Sequence, residues 1–309
     1  MGLLFVFLDG VGLARASDDN PLAHAATPVL HALLGGPLTL EHLQQHDRLL
    51  LAAIDATLGV SGLPQSGTGQ TAMLAGFNAA ALHGRHQPHV PPVALQPRLA
   101  AESIFRRTLL TGGSTAFANV FGPGYAAAVA TRRIRRSASV IAAEGAGVRL
   151  RDLEDLRHGA AVPYDITGAA AGGRPGELPL LSPASAGAVL AGLTASYDLV
   201  FFECPLPDLS AHGRTSLARA PGTPRVRDPQ QVAATFTTID RMLGELLAQL
   251  RPQDTLLITS DHGNCESIAA SGHTRNPVPL LVVGARAAAF ATVTSIMELA
   301  DIIAPWPAA

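Results

Sequence analysis

The chain has 309 residues, a formal net charge of -2, 48% hydrophobic residues and 15% charged ones. That length can bury one large or two modest cores, and the hydrophobic share excludes a disordered chain. Near-neutral charge without a basic block removes the electrostatic footprint of a nucleic-acid binder.

The first predicted element is LLFVFL (3–8), a strand-length apolar run that flows into Asp9-Gly10-Val11-Gly12. No basic segment or cleavage site precedes it, so it reads as a strand and not as a leader. Next comes a glycine-rich loop, Leu63-Pro64-Gln65-Ser66-Gly67-Thr68-Gly69-Gln70-Thr71, followed by a helical pattern. Its glycines let the backbone approach a phosphate at a helix N-terminus. Residues 79–194 carry turn clusters (HGRHQPHVPP, TGGS, FGPGY, GAAAGGRPGELP), short helical patterns and the basic run Arg132-Arg133-Ile134-Arg135-Arg136. This stretch reads as a smaller domain inserted into a discontinuous core of residues 1–78 and 195–309.

Beyond it, YDLVFFE (197–203), TLLIT (255–259) and PLLVVG (279–284) repeat the apolar strand pattern. Continuous apolar runs bounded by turns suit strands buried on both faces of a parallel sheet. Between them, residues 228–250 place Val232, Phe236, Ile239, Leu243, Leu246, Leu247 and Leu250 at helical spacing. Asp228 is the predicted N-cap and Pro229 the first-turn proline. Strand–helix–strand alternation predicts a doubly wound, mostly parallel α/β sheet.

Mean hydropathy is +0.25. The least polar stretches, near 184–202 and 278–300, are interrupted by polar and charged residues, so no membrane span is expected. Cys204 and Cys265 are too few for a disulfide framework and suit a reducing cytosol, so a cytoplasmic protein is expected.

Candidate metal ligands gather where strands end, which is where open α/β sheets bind ligands. Asp9 follows the first strand, Asp208 and His212 follow 197–203, Asp261 and His262 follow 255–259, and His273 precedes 279–284. Three carboxylates and three imidazoles without a thiolate suit Mn²⁺ or Zn²⁺, and they suffice for two ions. Two ions can clamp the attacking and leaving oxygens of a phosphoryl transfer. Ser66 is the candidate nucleophile, a hydroxyl that needs activation by a base or a metal. All 22 basic residues are arginine, so a lysine amine is unavailable to any mechanism.

FLDGVG (7–12), QSGTGQ (65–70), PDLSAH (207–212), SDHGN (260–264) and GHTRNPVPLLV (272–282) together resemble the alkaline phosphatase superfamily. The branch they resemble contains cofactor-independent phosphoglycerate mutase and phosphopentomutase. The resemblance implies an alkaline phosphatase-like core with one divalent ion on Asp208, His212 and His273. It implies a second on Asp9, Ser66, Asp261 and His262, with Ser66 transiently phosphorylated. The family places a histidine where this chain has Gln70, which keeps Thr68 open as an alternative nucleophile. The chain is shorter than those phosphoglycerate mutases and lacks their active-site lysine.

Arg132, Arg133, Arg135 and Arg136 are candidates to bind a substrate anion in bidentate pairs, the plainer reading being a solvated surface. His83, His86 and His89, interleaved with prolines, read as a loop or a substrate contact before they read as a third metal site. Cys265 reads as a small buried residue, and Glu266 and Arg275 as supports for the ligands. The expected partner is a small phosphorylated metabolite, and the expected activity a phosphomutase. Water reaching the phosphoserine would give a phosphatase or phosphodiesterase instead. The reading from another class is a non-catalytic metal-binding interaction protein, which predicts a broken ligand set. A dehydrogenase would need a GxGxxG turn after the first strand, and none is there.

Overall fold

The computed structural model describes residues 1–169, 179–214 and 226–303. Strand β1 (Leu3–Leu8) lies near the middle of one seven-stranded sheet, and each of its six side chains is buried. The other strands are β2 (Gln44–His46), β3 (Leu49–Ile54), β4 (Thr115–Phe117), β5 (Leu199–Cys204), β6 (Thr255–Thr259) and β7 (Val278–Gly284). Their spatial order is β2-β3-β7-β6-β1-β5-β4. Strands β4, β5, β1 and β6 run parallel, while β7, β3 and β2 pair antiparallel in succession. The expected sheet is thus present, with a mixed half that the apolar runs did not announce.

Alternation along β1 sorts the core into two layers. Leu3, Phe5 and Phe7 face helices Ser66–Ala75, Ile104–Leu110 and Ala138–Gly145. Leu4, Val6 and Leu8 face helices Pro183–Ser196 and Pro229–Gln249. The long helix starts as the sequence predicts, with Asp228 accepting from Gln230 N–H and Pro229 in the first turn.

Residues 79–194, expected as a separate insert, are woven into this core. They supply edge strand β4, and Phe105 and Phe117 pack on Phe201 of β5 with ring centroids 5.7 and 5.6 Å apart. Three strand residues and alanine-rich helices carry too little periodicity to announce a share in the main sheet. Residues 119–169 stay outside the named strands and are attached to one another through bridges Asn119↔Val162 and Val120↔Arg151, and within them helix Ala138–Gly145 is part of the first core layer. The turn cluster over 168–179 lies mostly outside the described residues. Among the described residues, no helix is long and apolar enough to cross a membrane.

Helix Pro183–Ser196 crosses Pro229–Gln249 at Gly187, where a β-carbon would collide with the Met242 carbonyl oxygen. Gly192, on the same helix, faces open space. Gly187→Ala is therefore expected to cost about 1–3 kcal/mol by overpacking. Gly192→Ala is expected to gain about 0.5–1 kcal/mol from helix propensity. Urea unfolding midpoints of the two variants should move in opposite directions.

Candidate metal centre

All seven predicted ligands meet at the carboxyl ends of β1, β5 and β6. Asp9 leaves β1 with its N–H bonded to Cys204 O at 3.1 Å, and its own carbonyl accepts from Asp208 N–H at 3.0 Å. Gly10 follows with φ +76°, and a β-carbon there would lie 2.8 Å from Asp208 Cβ. Glycine at this position lets the two aspartate loops touch.

Asp9, Asp261 and His262 bring one ligand atom each within 4.8 Å of one another, and so do Asp208, His262 and His273. His212 Nε2 joins the second group, 3.3 Å from Asp208 Oδ1 and 3.4 Å from His273 Nε2. His262 stands between the two groups, and its ring stacks on His273 at 3.7 Å between centroids. The expectation of two separate ligand sets becomes one continuous cluster with His262 at its centre.

Backbone carbonyls set the imidazole tautomers. A carbonyl can only accept, so His273 Nδ1–H donates to Pro64 O at 2.8 Å and leaves Nε2 with its lone pair toward the cluster. His262 Nδ1 faces Gly263 O at 3.4 Å in the same sense. His262 Nε2 then lies 3.3 Å from Asp9 Oδ1 and 3.6 Å from Asp261 Oδ2, so positive charge, a ring proton or a metal ion, has to meet these carboxylates. Asp9 Oδ1 is buried and makes no hydrogen bond. Such a contact needs a cation among the acceptors, so the nitrogen and oxygen set fits a divalent ion.

The electrostatics agree. Burial raises the Asp9 carboxyl well above its ordinary range, and the charges of Asp261, Asp208 and Glu203 push it further. Asp208 goes the other way: burial opposes its ionisation, but the His212 hydrogen bond, the His262 and His212 charges and the Asn264 amide outweigh it. Burial, then the neighbouring His262, brings His273 down to about 4.

Ser66 opens helix Ser66–Ala75, and its Oγ is 3.0 Å from His262 Nε2. Thr68, the alternative nucleophile, is turned away. Its hydroxyl donates to Gln65 O at 3.3 Å and accepts from Gln87 N–H at 3.2 Å. Gln70, in the position where the family has a histidine, donates to Asp261 Oδ2 at 3.1 Å.

His83 and His86 hydrogen-bond to Gln87 and to Val60 O, and His89 has φ +60°. They form a loop against the serine turn, where Gln87 O accepts from Thr68 N–H, and they lie outside both ligand groups. Arg132, Arg133, Arg135 and Arg136 lie on an exposed stretch after helix Tyr125–Ala130, with Arg136 bonded to Glu144 at 2.9 Å. Cys265 is buried, and burial raises its thiol well above the ordinary value, so it stays protonated as a core residue.

Glu266 does more than support a ligand. Its carboxylate accepts from Gly12 N–H at 3.0 Å, Asn264 N–H at 2.8 Å, Asn276 Nδ2 at 3.0 Å and the Thr274 hydroxyl. Arg275 ties the same loop to Gly62 O at 2.7 Å. Three participants escaped the sequence reading. Asn264 donates to Asp208 Oδ1 at 2.7 Å and accepts from Arg227 at 2.8 Å. Glu203, on the β5 face shared with Phe201, is raised to about 7 by burial and by Asp261. An acid ending an otherwise apolar strand was the available signal for Glu203. Arg227 gave none.

A family model described as Metalloenzyme superfamily matches residues 186–305. The phosphopentomutase of Chromohalobacter salexigens is 48% identical over 59 residues, covering 19% of this chain and 14% of the relative. The 2,3-bisphosphoglycerate-independent phosphoglycerate mutase of Dinoroseobacter shibae is 30% identical over 122 residues, covering 37% and 22%. The chain thus spans less than a quarter of the length of these curated relatives. The cold-active alkaline phosphatase of Shewanella sp. superposes with a TM-score of 0.56 at 13% identity, covering 100% of both chains. That likeness shows a shared fold.

Without metal, the raised acids work against folding at high pH. Glu203 titrates at about 7 when folded, against about 4.3 in an unfolded chain. The folded protein therefore keeps a proton that the unfolded chain has lost, and stability falls as pH rises through that window. Asp9 acts in the same direction, while His273, lowered to about 4 against about 6.5 in an unfolded chain, opposes the two acids below about pH 6.5. Urea midpoints of EDTA-treated protein should fall from about pH 5 to about pH 8, and Glu203→Gln should flatten the fall. Added Mn²⁺ or Zn²⁺ at about 100 times its Kd should restore about 2.7 kcal/mol. His262→Ala should abolish that gain.

Proposed function

We propose, from the premise that the chain belongs to the alkaline phosphatase superfamily of metalloenzymes, that it transfers a phosphoryl group of a small phosphorylated metabolite through Ser66. The observation that carries this reading is the Ser66 hydroxyl, at a helix N-terminus and 3.0 Å from the imidazole at the centre of the ligand cluster. Asp208, His212 and His273 would hold one divalent ion, and Asp9, Ser66, Asp261 and His262 a second. Bound there, Mn²⁺ or Zn²⁺ would lower the pKa of the serine hydroxyl and offset charge on the phosphoryl oxygens.

The chain's own groups supply the rest. Ser66 Oγ loses its proton and forms a bond to phosphorus as the ester bond to the leaving oxygen breaks, and the leaving oxygen takes up one proton in exchange. At the start of the helix the N–H groups of Ser66 and Gly67 would meet the incoming anion, since that of Thr68 is held by Gln87 O. Asn264, held by Arg227, fixes the Asp208 carboxylate that the ion shared with His212 and His273 would need. Helix Tyr125–Ala130 and the exposed stretch after it act as a small cap, and Arg132, Arg133, Arg135 and Arg136 bind the remaining anionic groups of the substrate.

Return of the phosphoryl group to the substrate gives a mutase, the reading favoured by the named activities of the matched relatives. Transfer to water gives a phosphatase or phosphodiesterase, a second reading favoured by the exposure of the arginine stretch. Phosphorus NMR on Mn²⁺-loaded protein with phosphoglycerates, pentose phosphates and phosphodiesters separates them. A new ester resonance without free phosphate supports the mutase, and growing inorganic phosphate supports the hydrolase. An unchanged spectrum with every substrate counts against both. Ser66→Ala is expected to lower turnover by about 10³-fold or more and to remove the phosphorylated protein from the mass spectrum. Replacing Arg133 and Arg135 by Gln should raise KM by about tenfold or more and leave kcat near its starting value.

A further inference from the structure

A second concave site lies at the other end of the sheet from the ligand cluster. It is a cavity of about 220 Å³ at the start of β4 and β5, and its wall includes Thr115, Gly147, Arg149, Arg151 and Tyr197. This volume falls below the ~300–1,000 Å³ of pockets for drug-sized ligands and suits something small. Residues 147–151 run beside edge strand β4 and join its continuation only at the far end, where Phe121 N–H donates to Arg151 O at 2.8 Å. The cavity occupies the gap before that junction.

Arg151 is the unusual member. The residue is 8% exposed, yet its guanidinium makes no hydrogen bond among the described residues. Its nearest carboxylate oxygen, Asp155 Oδ1, is 3.9 Å away, beyond hydrogen-bonding range. Asp155 is already engaged. Arg149 grips both its oxygens at 2.6 and 2.8 Å, and the Asp152 N–H donates to Oδ2 at 2.8 Å. Tyr197 covers one face of the Arg151 guanidinium, with Cζ 5.5 Å from the ring centroid. The Thr115 hydroxyl at the wall also lacks a hydrogen-bond partner.

A buried cation with five donors is costly unless an acceptor meets it. A pure structural ion pair would place Arg151 against Asp155, but Arg149 holds that position. We infer that this cavity binds a small oxyanion, a phosphate or carboxylate group carried on few carbons, through the planar fork of Arg151 with Arg149 beside it. The Tyr197 ring lies on one side of the guanidinium, whose planar fork can offer an oxyanion two parallel N–H···O bonds. The site is separate from the metal centre, since it opens where these strands begin and the ligands stand where they end.

The test is an arginine side-chain NMR titration of the full, metal-loaded chain labelled with [¹⁵N]arginine. Inorganic phosphate and acetate are the probes, added separately at constant ionic strength. Arg151→Lys identifies the Arg151 Nε–Hε resonance by its loss, and Arg151→Met serves if the lysine variant does not fold. A saturable shift of that resonance with a midpoint of about 1–10 mM supports the site. Saturation by phosphate alone identifies a phosphate ligand, and saturation by acetate alone or by both identifies a carboxylate-tolerant one. The shift should persist in Asp208→Asn protein or after EDTA treatment, because the metal centre is not needed. No shift with either probe overturns the proposal. So does a linear drift matching that of the exposed Arg15, or a shift lost together with the metal centre.

Discussion

Negative charge packed at the ends of parallel strands is the constraint on which the rest of this molecule depends. Asp9, Asp208 and Asp261 end or follow β1, β5 and β6, and Glu203 joins them from the last turn of β5. The sheet register fixes their separation: Phe7 is paired with Glu203 and with Thr259, so the residues just beyond must converge. Mutual repulsion and burial raise Asp9, while Asp208 stays ionised through its imidazole and amide contacts. Asp9, one residue past β1, and Asp208, four residues past β5, are thus driven to opposite protonation preferences. A cation between them resolves the conflict, and that requirement explains why so many neutral donors surround the cluster instead of more acids.

Holding the loops in place falls to a carboxylate that is not itself a ligand. Glu266 gathers donors from the first loop, from its own loop and from the loop carrying His273, so one side chain registers three strand ends. The glycines opposite it follow from this arrangement. A β-carbon at Gly12 or Gly263 would occupy the space of the Glu266 carboxylate. Arg227 plays the matching role for Asn264, with additional bonds to Asn264 O and Ser267 O at 3.0 and 2.9 Å. Position at the metal centre is thus set by buried hydrogen bonds between loops more than by the ligands themselves.

The legible parts of the sequence were those whose signal is local. β1, β6 and helix Pro229–Gln249 stand where apolar runs and caps put them, because full burial leaves an uninterrupted pattern. Strand β3, LLLAAI, and the three-residue β4 are short and partly alanine, and the antiparallel turn of the sheet depends on partners more than 200 residues away. For the same reason Asp9, Asp208 and Asp261 were readable as strand-end acids, while Arg227 was not. Its importance arises from contacts across 37 residues to Asn264 and no local pattern encodes them. Glu203 lay in between, an acid in an apolar strand whose meaning appears only when Asp9 is beside it.

A chain without lysine must meet every cationic need with a planar, permanently charged group. Three settings show what that does. Arg149 uses both terminal nitrogens on Asp155, Arg227 spreads its fork over a side chain and two carbonyls, and Arg151 stands over the Tyr197 ring, Cζ 5.5 Å from its centroid. An ammonium could replace none of these without losing the parallel bonds or the contact with the ring. Guanidinium is also weakly hydrated, so it tolerates burial when its fork is satisfied. Where protein meets the two terminal nitrogens, as at Arg149 and Arg227, the group locks loops together. Where protein leaves it open, at Arg151, the same chemistry becomes a receptor for an acceptor from outside.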